Sequence, residues 1–344
     1  MVLSRRNRMF AAIILTSLVI GITFTFVYFL NFANPAELEP PGENPLVLDF
    51  NLIAEVDTGS FALSVHVDGD TAFVLDTDET GTLGLVIVDI SNPYLPEILG
   101  TYHNGGLPFN LESKGDIVYI ADQEEGLRII DISNPAQPVE LEGYSGSGMA
   151  FDVKIVGNYL YFADYEYGMV VLDISNPSTP VYVTNYETGC VHLEIEDDIA
   201  YIAGHGNLVL LDVSDPTQPT FIGGTPESST TLWDPSVSNN TIYLANHSGD
   251  DGELMIFDAS DPSNIEMTGE FDSEGTFQSF YVQDSLLYAV DFVAGLYLLD
   301  VRNSATPVEI TRFSDGQPWD VTLSDGLVYL VGSEGLQILQ IVSA

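Results

Sequence analysis

The chain is predicted to be all-β, a seven-bladed β-propeller of four-stranded blades behind a single transmembrane helix. Three features of its 344 residues predict this. An aromatic residue centred in an apolar run recurs at Phe73, Tyr119, Tyr161, Tyr201, Tyr243, Tyr288 and Tyr329, a spacing of about forty residues that suits one propeller blade. A second apolar run follows each aromatic and ends in Asp89, Asp131, Asp173, Asp212, Asp258 and Asp300, with Gln340 in the seventh place. Ahead of all the copies, residues 9–32 form an apolar run without a charge.

At the N-terminus, Arg5, Arg6 and Arg8 precede that run, which at 1.5 Å per residue is long enough for a ~30 Å hydrocarbon core. It exceeds the apolar stretch of a cleavable signal and no small-x-small cleavage site follows it, so it reads as a retained signal anchor. The arginines place residues 1–8 in the cytoplasm as a short basic tail and everything after residue 32 outside. Residues 33–45 (ANPAELEPPGENP) make an acidic, proline-rich linker, and residues 46–344 the propeller. The expected location is therefore the cell membrane, single-pass, with an extracytoplasmic propeller.

Within one copy, residues 149–186, Phe151 to Val156 alternates with the two-residue period of a strand, Gly157-Asn158 makes a tight turn, and Tyr159 to Ala163 returns. Met169 to Ile174 is nearly all apolar, as suits a strand covered on both faces, Ser175-Asn176-Pro177 turns the chain, and Pro180 to Tyr186 is an outer edge strand that tolerates proline. The last copy has three strands and ends at Ile341-Val342, whereas Leu46 to Thr58 precedes the first copy and reads as a lone fourth strand. Pairing the two would complete the seventh blade and remove two open sheet edges.

The stretch Leu85-Val86-Ile87-Val88-Asp89-Ile90-Ser91-Asn92-Pro93 resembles the signature of the LVIVD-repeat family. Close variants stand at Leu127 to Pro135, Met169 to Pro177, Leu208 to Pro216 and Leu254 to Pro262. In the sixth copy Arg302-Asn303-Ser304 replaces the Ser-Asn-Pro turn. The resemblance implies a propeller and brings no catalytic residues with it.

The formal net charge is −43, and all 51 acidic residues lie beyond position 32, opposed there by Lys114, Arg128, Lys154, Arg302 and Arg312 alone. That balance excludes nucleic acid as a partner. Cys190 is the sole cysteine, so no intramolecular disulfide exists, and Asn239 and Asn246 begin N-glycosylation triplets.

The repeated Asp before Ser-Asn-Pro reads as structural, because the following turn needs acceptors for its amides and a unique site does not require six copies. Another position carries the functional reading. Aligned on the aromatics, Ser64, Asn110, Asp152, His192, Asp234, Ser279 and Asp320 share one point near the start of the innermost strand and would ring the channel mouth. One reading makes each fasten its blade to the next. The other makes Asp152, His192, Asp234 and Asp320 a ligand or metal site, with Trp233 and Trp319, which immediately precede two of the ring aspartates, as a sugar-stacking platform or as packing between blades. Loops on the same face carry Asp76, Asp78, Asp122, Asp164 and Asp291, oxygen ligands of the kind Ca²⁺ takes. Residues 76–81 partly resemble an EF-hand loop, but Ile87 stands where its bidentate glutamate belongs. HExxH, GxSxG and P-loop patterns are absent. The reading that results is a non-catalytic binding platform for a surface protein or glycan. Its alternative is an extracytoplasmic hydrolase or lyase acting on a glycan, cation-dependent or not, with acids drawn from different blades.

Overall fold

In the computed structural model the described residues are 46–343, apart from 78–82, 104, 124, 145–147, 178, 205, 227–230 and 248–251, together with 18–19 and 22–23. The tail, anchor and linker expected over residues 1–45 lie outside the described residues, except that Leu18–Val19 and Ile22–Thr23 pair as two-residue strands. Among the described residues no helix is long and apolar enough to cross a membrane.

Residues 46–344 form a compact unit built from seven four-stranded antiparallel sheets. The third sheet is representative. Its strands Ala150–Val156, Tyr159–Asp164, Gly168–Asp173 and Val181–Tyr186 pair in chain order, so the sheet is a meander made of three successive hairpins. The hairpin between first and second strands is tight in every blade. Asp197-Asp198, Asn239-Asn240 and Asp284-Ser285 hold both central residues at positive φ, and Asp325-Gly326 does likewise, the geometry whose twist matches that of the flanking strands.

The last sheet combines Pro318–Ser324, Leu327–Gly332 and Gly335–Ser343 with Leu48–Val56, which runs antiparallel to Gly335–Ser343 with Val56 opposite Leu336 and Glu55 opposite Gln337. A bulge between Leu52 and Ala54 absorbs Ile53. Each first strand neighbours the first strand of the next blade, and that of the seventh neighbours that of the first.

The core lies between sheets. Phe73, Leu75, Leu85 and Ile87 of the first sheet pack on Leu111, Val118, Ile120 and Ile130 of the second, and six further clusters repeat this at the other junctions, including Tyr329 and Ile338 of the seventh sheet against Val65 and Val86 of the first. All seven repeat aromatics are buried there. Each buries an area large enough to dominate its junction.

The six repeated aspartates act as the turn reading requires. Asp89, Asp131, Asp173, Asp212 and Asp258 accept the amide of the serine two residues on at 2.8–2.9 Å, and Asp300 that of Arg302 at 3.0 Å. Glycine lets these turns nest against the preceding blade. A Cβ on Gly223 would lie 1.5 Å from the Pro262 carbonyl oxygen, and one on Gly100 2.0 Å from that of Pro135.

Candidate functional site

An innermost strand has one edge in the ladder and one facing the axis, and the amides on the axial edge need other acceptors. The polar ring supplies them. Asp320 accepts the Val65 amide of the first blade at 2.9 Å, Asp152 accepts that of Leu193 in the fourth at 2.9 Å, and Asp234 accepts that of Phe280 in the sixth at 2.7 Å. Asn110, Asp152 and Asp320 also accept the amide of the residue that follows each of them, at 2.7, 2.7 and 2.8 Å. Side chains link the remaining blades: the Ser64 hydroxyl donates to Asn110 at 2.9 Å, the Asn110 amide to Asp152, and the Ser279 hydroxyl to Asp320 at 2.7 Å.

The junction between the fourth and fifth blades departs from this pattern. The residue after Asp234 is Pro235, which has no amide hydrogen, and the ladder is bulged between Trp233 and Ser236, with Asp234 at φ +44°. His192 reaches toward that place and, among the described residues, finds no donor or acceptor within hydrogen-bond distance. Its residue is 7 % exposed, yet neither ring nitrogen has a hydrogen-bond partner. Nδ1 stands 3.7 Å from Asp152 Oδ2 and 4.0 Å from Asp234 Oδ1, beyond hydrogen-bond distance from both. The ring rests on Trp233, 4.2 Å between centroids, and Trp233 stacks on His247 at 5.1 Å.

The three ring acids differ electrostatically. Burial pushes Asp234 up to about 7, with Asp320 adding to the rise and His192 opposing it. Burial also raises Asp320, against the hydrogen bonds from Ser279, Val65 and Val321. At Asp152 burial acts in the same sense, but His192, Lys154 and the Leu193 amide outweigh it and hold the carboxyl below its ordinary value.

Of the residues singled out from the sequence, Asp152, His192, Asp234 and Trp233 come together. Asp320 joins them through the ring. Trp319 does not: it packs with Phe61 and Phe292, each 5.8 Å away, on another sector of the mouth. Asp76, Asp122, Asp164 and Asp291 are all buried, and each ties its own loop to the chain entering the blade. Asp76 accepts the Phe61 amide at 2.9 Å and the Thr58 hydroxyl, and Asp122 accepts the Leu107 amide and pairs with Arg128. Asp164 accepts the amides of Gly148, Glu166 and Tyr167 at 2.8 Å each, and Asp291 those of Gly275, Val293 and Ala294 at 3.1, 2.7 and 2.7 Å. Asp78 lies outside the described residues. Among the described residues no three His, Cys, Asp or Glu side chains converge as a metal centre. Asn246 is buried with its side-chain amide on Glu253 at 2.8 Å, whereas Asn239 occupies an exposed turn.

Sequence reasoning passed over a second layer, two residues further along each inner strand and so on the same face. His66, Glu112, Lys154, Glu194, Ser236, Tyr281 and Thr322 stand opposite the seven repeat aromatics. Shifting the repeat alignment by two positions would have found them. Lys154 reaches Glu194 at 2.9 Å and Glu112 at 4.0 Å, crossing the channel face of three blades. Burial pushes Glu112 up to about 7, and the surrounding carboxylates raise Lys154 despite its burial. Burial, aided by Lys154, lowers His66 to about 4. Beyond this layer the opposite mouth opens into a cavity of about 650 Å³ lined by His66, Asp68, Glu112, Lys114 and Asn158.

The repeat architecture is matched by a family model named LVIVD repeat over residues 59–104, 109–145, 147–188, 192–225 and 233–273, more than half of the chain. The chain belongs to the LVIVD-repeat family. The sixth and seventh blades of this LVIVD protein fall outside the matched segments but keep the same four-stranded form. No curated protein matches the sequence. Solved structures similar to it include the computationally designed Ika8 protein, at 10 % identity and a TM-score of 0.59 over 85 % of this chain and 99 % of that one. Sqt1 of Saccharomyces cerevisiae is similar at 10 % identity and a TM-score of 0.60 over 88 % and 99 %. At such identities the likeness concerns the fold alone.

Proposed function

We propose that this LVIVD-repeat protein is a non-catalytic binding platform, anchored in the cell membrane by residues 9–32, that presents its propeller outside the cell to a surface protein or glycan. The observation that carries this reading is an aromatic collar around the polar ring. Phe61, Phe292 and Trp319 form one cluster, Phe109, Phe151 and Tyr165 a second, and Trp233 with His192 and His247 a third. Leu107, Tyr165, Tyr167 and Val293 stand exposed on the same face. Aromatic and aliphatic side chains grouped around polar groups are what a recognition surface uses, and single exposed apolar residues elsewhere need no such account.

The anchor is supported by the three arginines before an uncharged run. The pairing of Leu48–Val56 with Gly335–Ser343 supports a ring held shut by its own N-terminal strand, since a strand from the start of the propeller completes the sheet at its end. Capture of cell-surface partners and glycans by residues 46–344, compared with Trp319→Ala and Tyr165→Ala forms, tests the platform. Capture should fall in both variants, and capture unchanged in both overturns the reading. Digestion of the propeller by protease added to intact cells tests the topology.

The alternative of a glycan hydrolase or lyase draws on one observation, the separation of Asp152, held low, from Asp234, raised to about 7, as an acid and a carboxylate would require. Release of reducing ends from a panel of polysaccharides, abolished by Asp234→Asn, would favour it over the platform.

A further inference from the structure

At the blade-four to blade-five junction no hydrogen bond joins the neighbouring ring members His192 and Asp234, whose nearest polar atoms stand 4.0 Å apart. Asn110, Asp152, Asp234 and Asp320 each accept an N–H or O–H from a neighbouring blade, but Pro235 has no hydrogen to give Asp234 a second one, and among the described residues His192 is left buried with both nitrogens unpartnered between two carboxylates. Among the described residues Asp234 accepts only the Phe280 amide, through Oδ2, and its Oδ1 is the oxygen that faces His192. We propose that this junction is a subsite for a cationic hydrogen-bond donor, the basic side chain of a protein partner, which enters the mouth along Trp233 and donates to Asp234, with Asp152 and His192 completing its surroundings. The inference rests on the platform reading and names its ligand as a lysine- or arginine-bearing protein segment.

Two features select a cation. Asp152 and Asp234 flank His192 Nδ1 at 3.7 and 4.0 Å, Asp320 adds negative charge that acts on Asp234, and Lys154, the permanent cation that acts on Asp152, lies one layer deeper, already paired with Glu194. Asp234 Oδ1 has no donor within hydrogen-bond distance among the described residues, and a carboxylate or phosphate would not supply one. Trp233 borders the gap, with His192 against its ring and His247 stacked on it, so it reports on what enters. A metal ion is disfavoured by the same geometry, because three ligating groups do not converge among the described residues.

The experiment uses the full-length protein in detergent with Trp319→Phe, so that Trp233 is the sole indole, and titrates it with Nα-acetyl-lysine-methylamide while following fluorescence. The groups facing Asp234 are His192, Asp152 and Asp320, with Lys154 and His247 behind them. A carboxyl that titrates at about 7 is mostly neutral at pH 6 and mostly charged at pH 8, so the lysine probe should bind roughly tenfold more tightly at pH 8. Asp234→Asn, a residue type that also tolerates the left-handed backbone, should remove that pH dependence and weaken binding on the order of tenfold. The uncharged analogue Nα-acetyl-norleucine-methylamide should give no saturable change. Absence of saturation with the lysine probe, an equal response to norleucine, or binding indifferent to Asp234→Asn overturns the inference. A saturable response to chito-oligosaccharides alone would overturn it while leaving the platform standing. Partner capture unaffected by the collar variants would instead remove the platform itself.

Discussion

Asp152 offers the sharpest test of the idea that the ring fastens blades. Three donors from three blades converge on its carboxylate: the Asn110 amide from the second, the Val153 amide of its own strand at 2.7 Å, and the Leu193 amide from the fourth at 2.9 Å. Asp152→Ala leaves the Val153 and Leu193 amides without their acceptor in a place that is almost wholly buried. An orphaned buried donor costs about 1–3 kcal/mol, so the three losses together should cost about 3–6 kcal/mol, reduced by relief of the carboxylate's own desolvation. In a domain of this size that corresponds to a fall in Tm on the order of 10 °C. Calorimetry and urea unfolding of residues 46–344 at pH 7 would measure it. The control is Asp234→Ala, which among the described residues orphans one amide, that of Phe280, and puts alanine at φ +44° but removes a carboxyl that ionises with difficulty, so its cost should stay at about 1–2 kcal/mol. Equal losses in the two variants, or a loss below about 1 kcal/mol for Asp152→Ala, would refute the fastening argument.

Gly223→Ala should destabilise by about 1–3 kcal/mol, read from thermal unfolding, because the new methyl would overlap the Pro262 carbonyl of the adjoining blade. Asp291→Ala should cost a similar amount in Ca²⁺ and in EDTA, since its carboxylate accepts three backbone amides, and a loss confined to Ca²⁺-containing buffer would restore the metal reading of these loops. Asp234 titrates at about 7 when folded and near 4 when unfolded, so folding holds its proton more tightly and wild-type stability falls as pH rises between those values, then levels. Asp234→Asn should therefore match wild type near pH 4 and exceed it at pH 8, on the order of 2 kcal/mol once the quarter of the side chain open to solvent is allowed for, as urea midpoints would report. Removing residues 46–57 strips the seventh sheet of Leu48–Val56, and the exposed edge of Gly335–Ser343 should bring a lower Tm and concentration-dependent association in light scattering.

The blade count, the four-strand unit and the structural role of the repeated aspartates were all legible in the sequence, because each is a local pattern copied several times. Two-residue alternation sets which side chains face a neighbouring sheet, and an Asp two residues before a serine amide bonds it whatever lies across the ring. The polar ring was legible as a position too, since aligning copies is equivalent to superposing blades. What each ring member does was not, because that depends on the residue one blade away: Asp320 serves Val65, 255 positions distant in the chain. The loop aspartates illustrate the limit from the other side. Asp164 and Asp291 look like solvated oxygen ligands in sequence, and only packing shows their carboxylates turned inward onto amides. Pro235 is plain in the sequence as a residue without a hydrogen to donate. That His192 stands unpartnered at the same junction, between Asp152 and Asp234, is decided by tertiary structure alone, where side chains of different blades meet across a few ångströms.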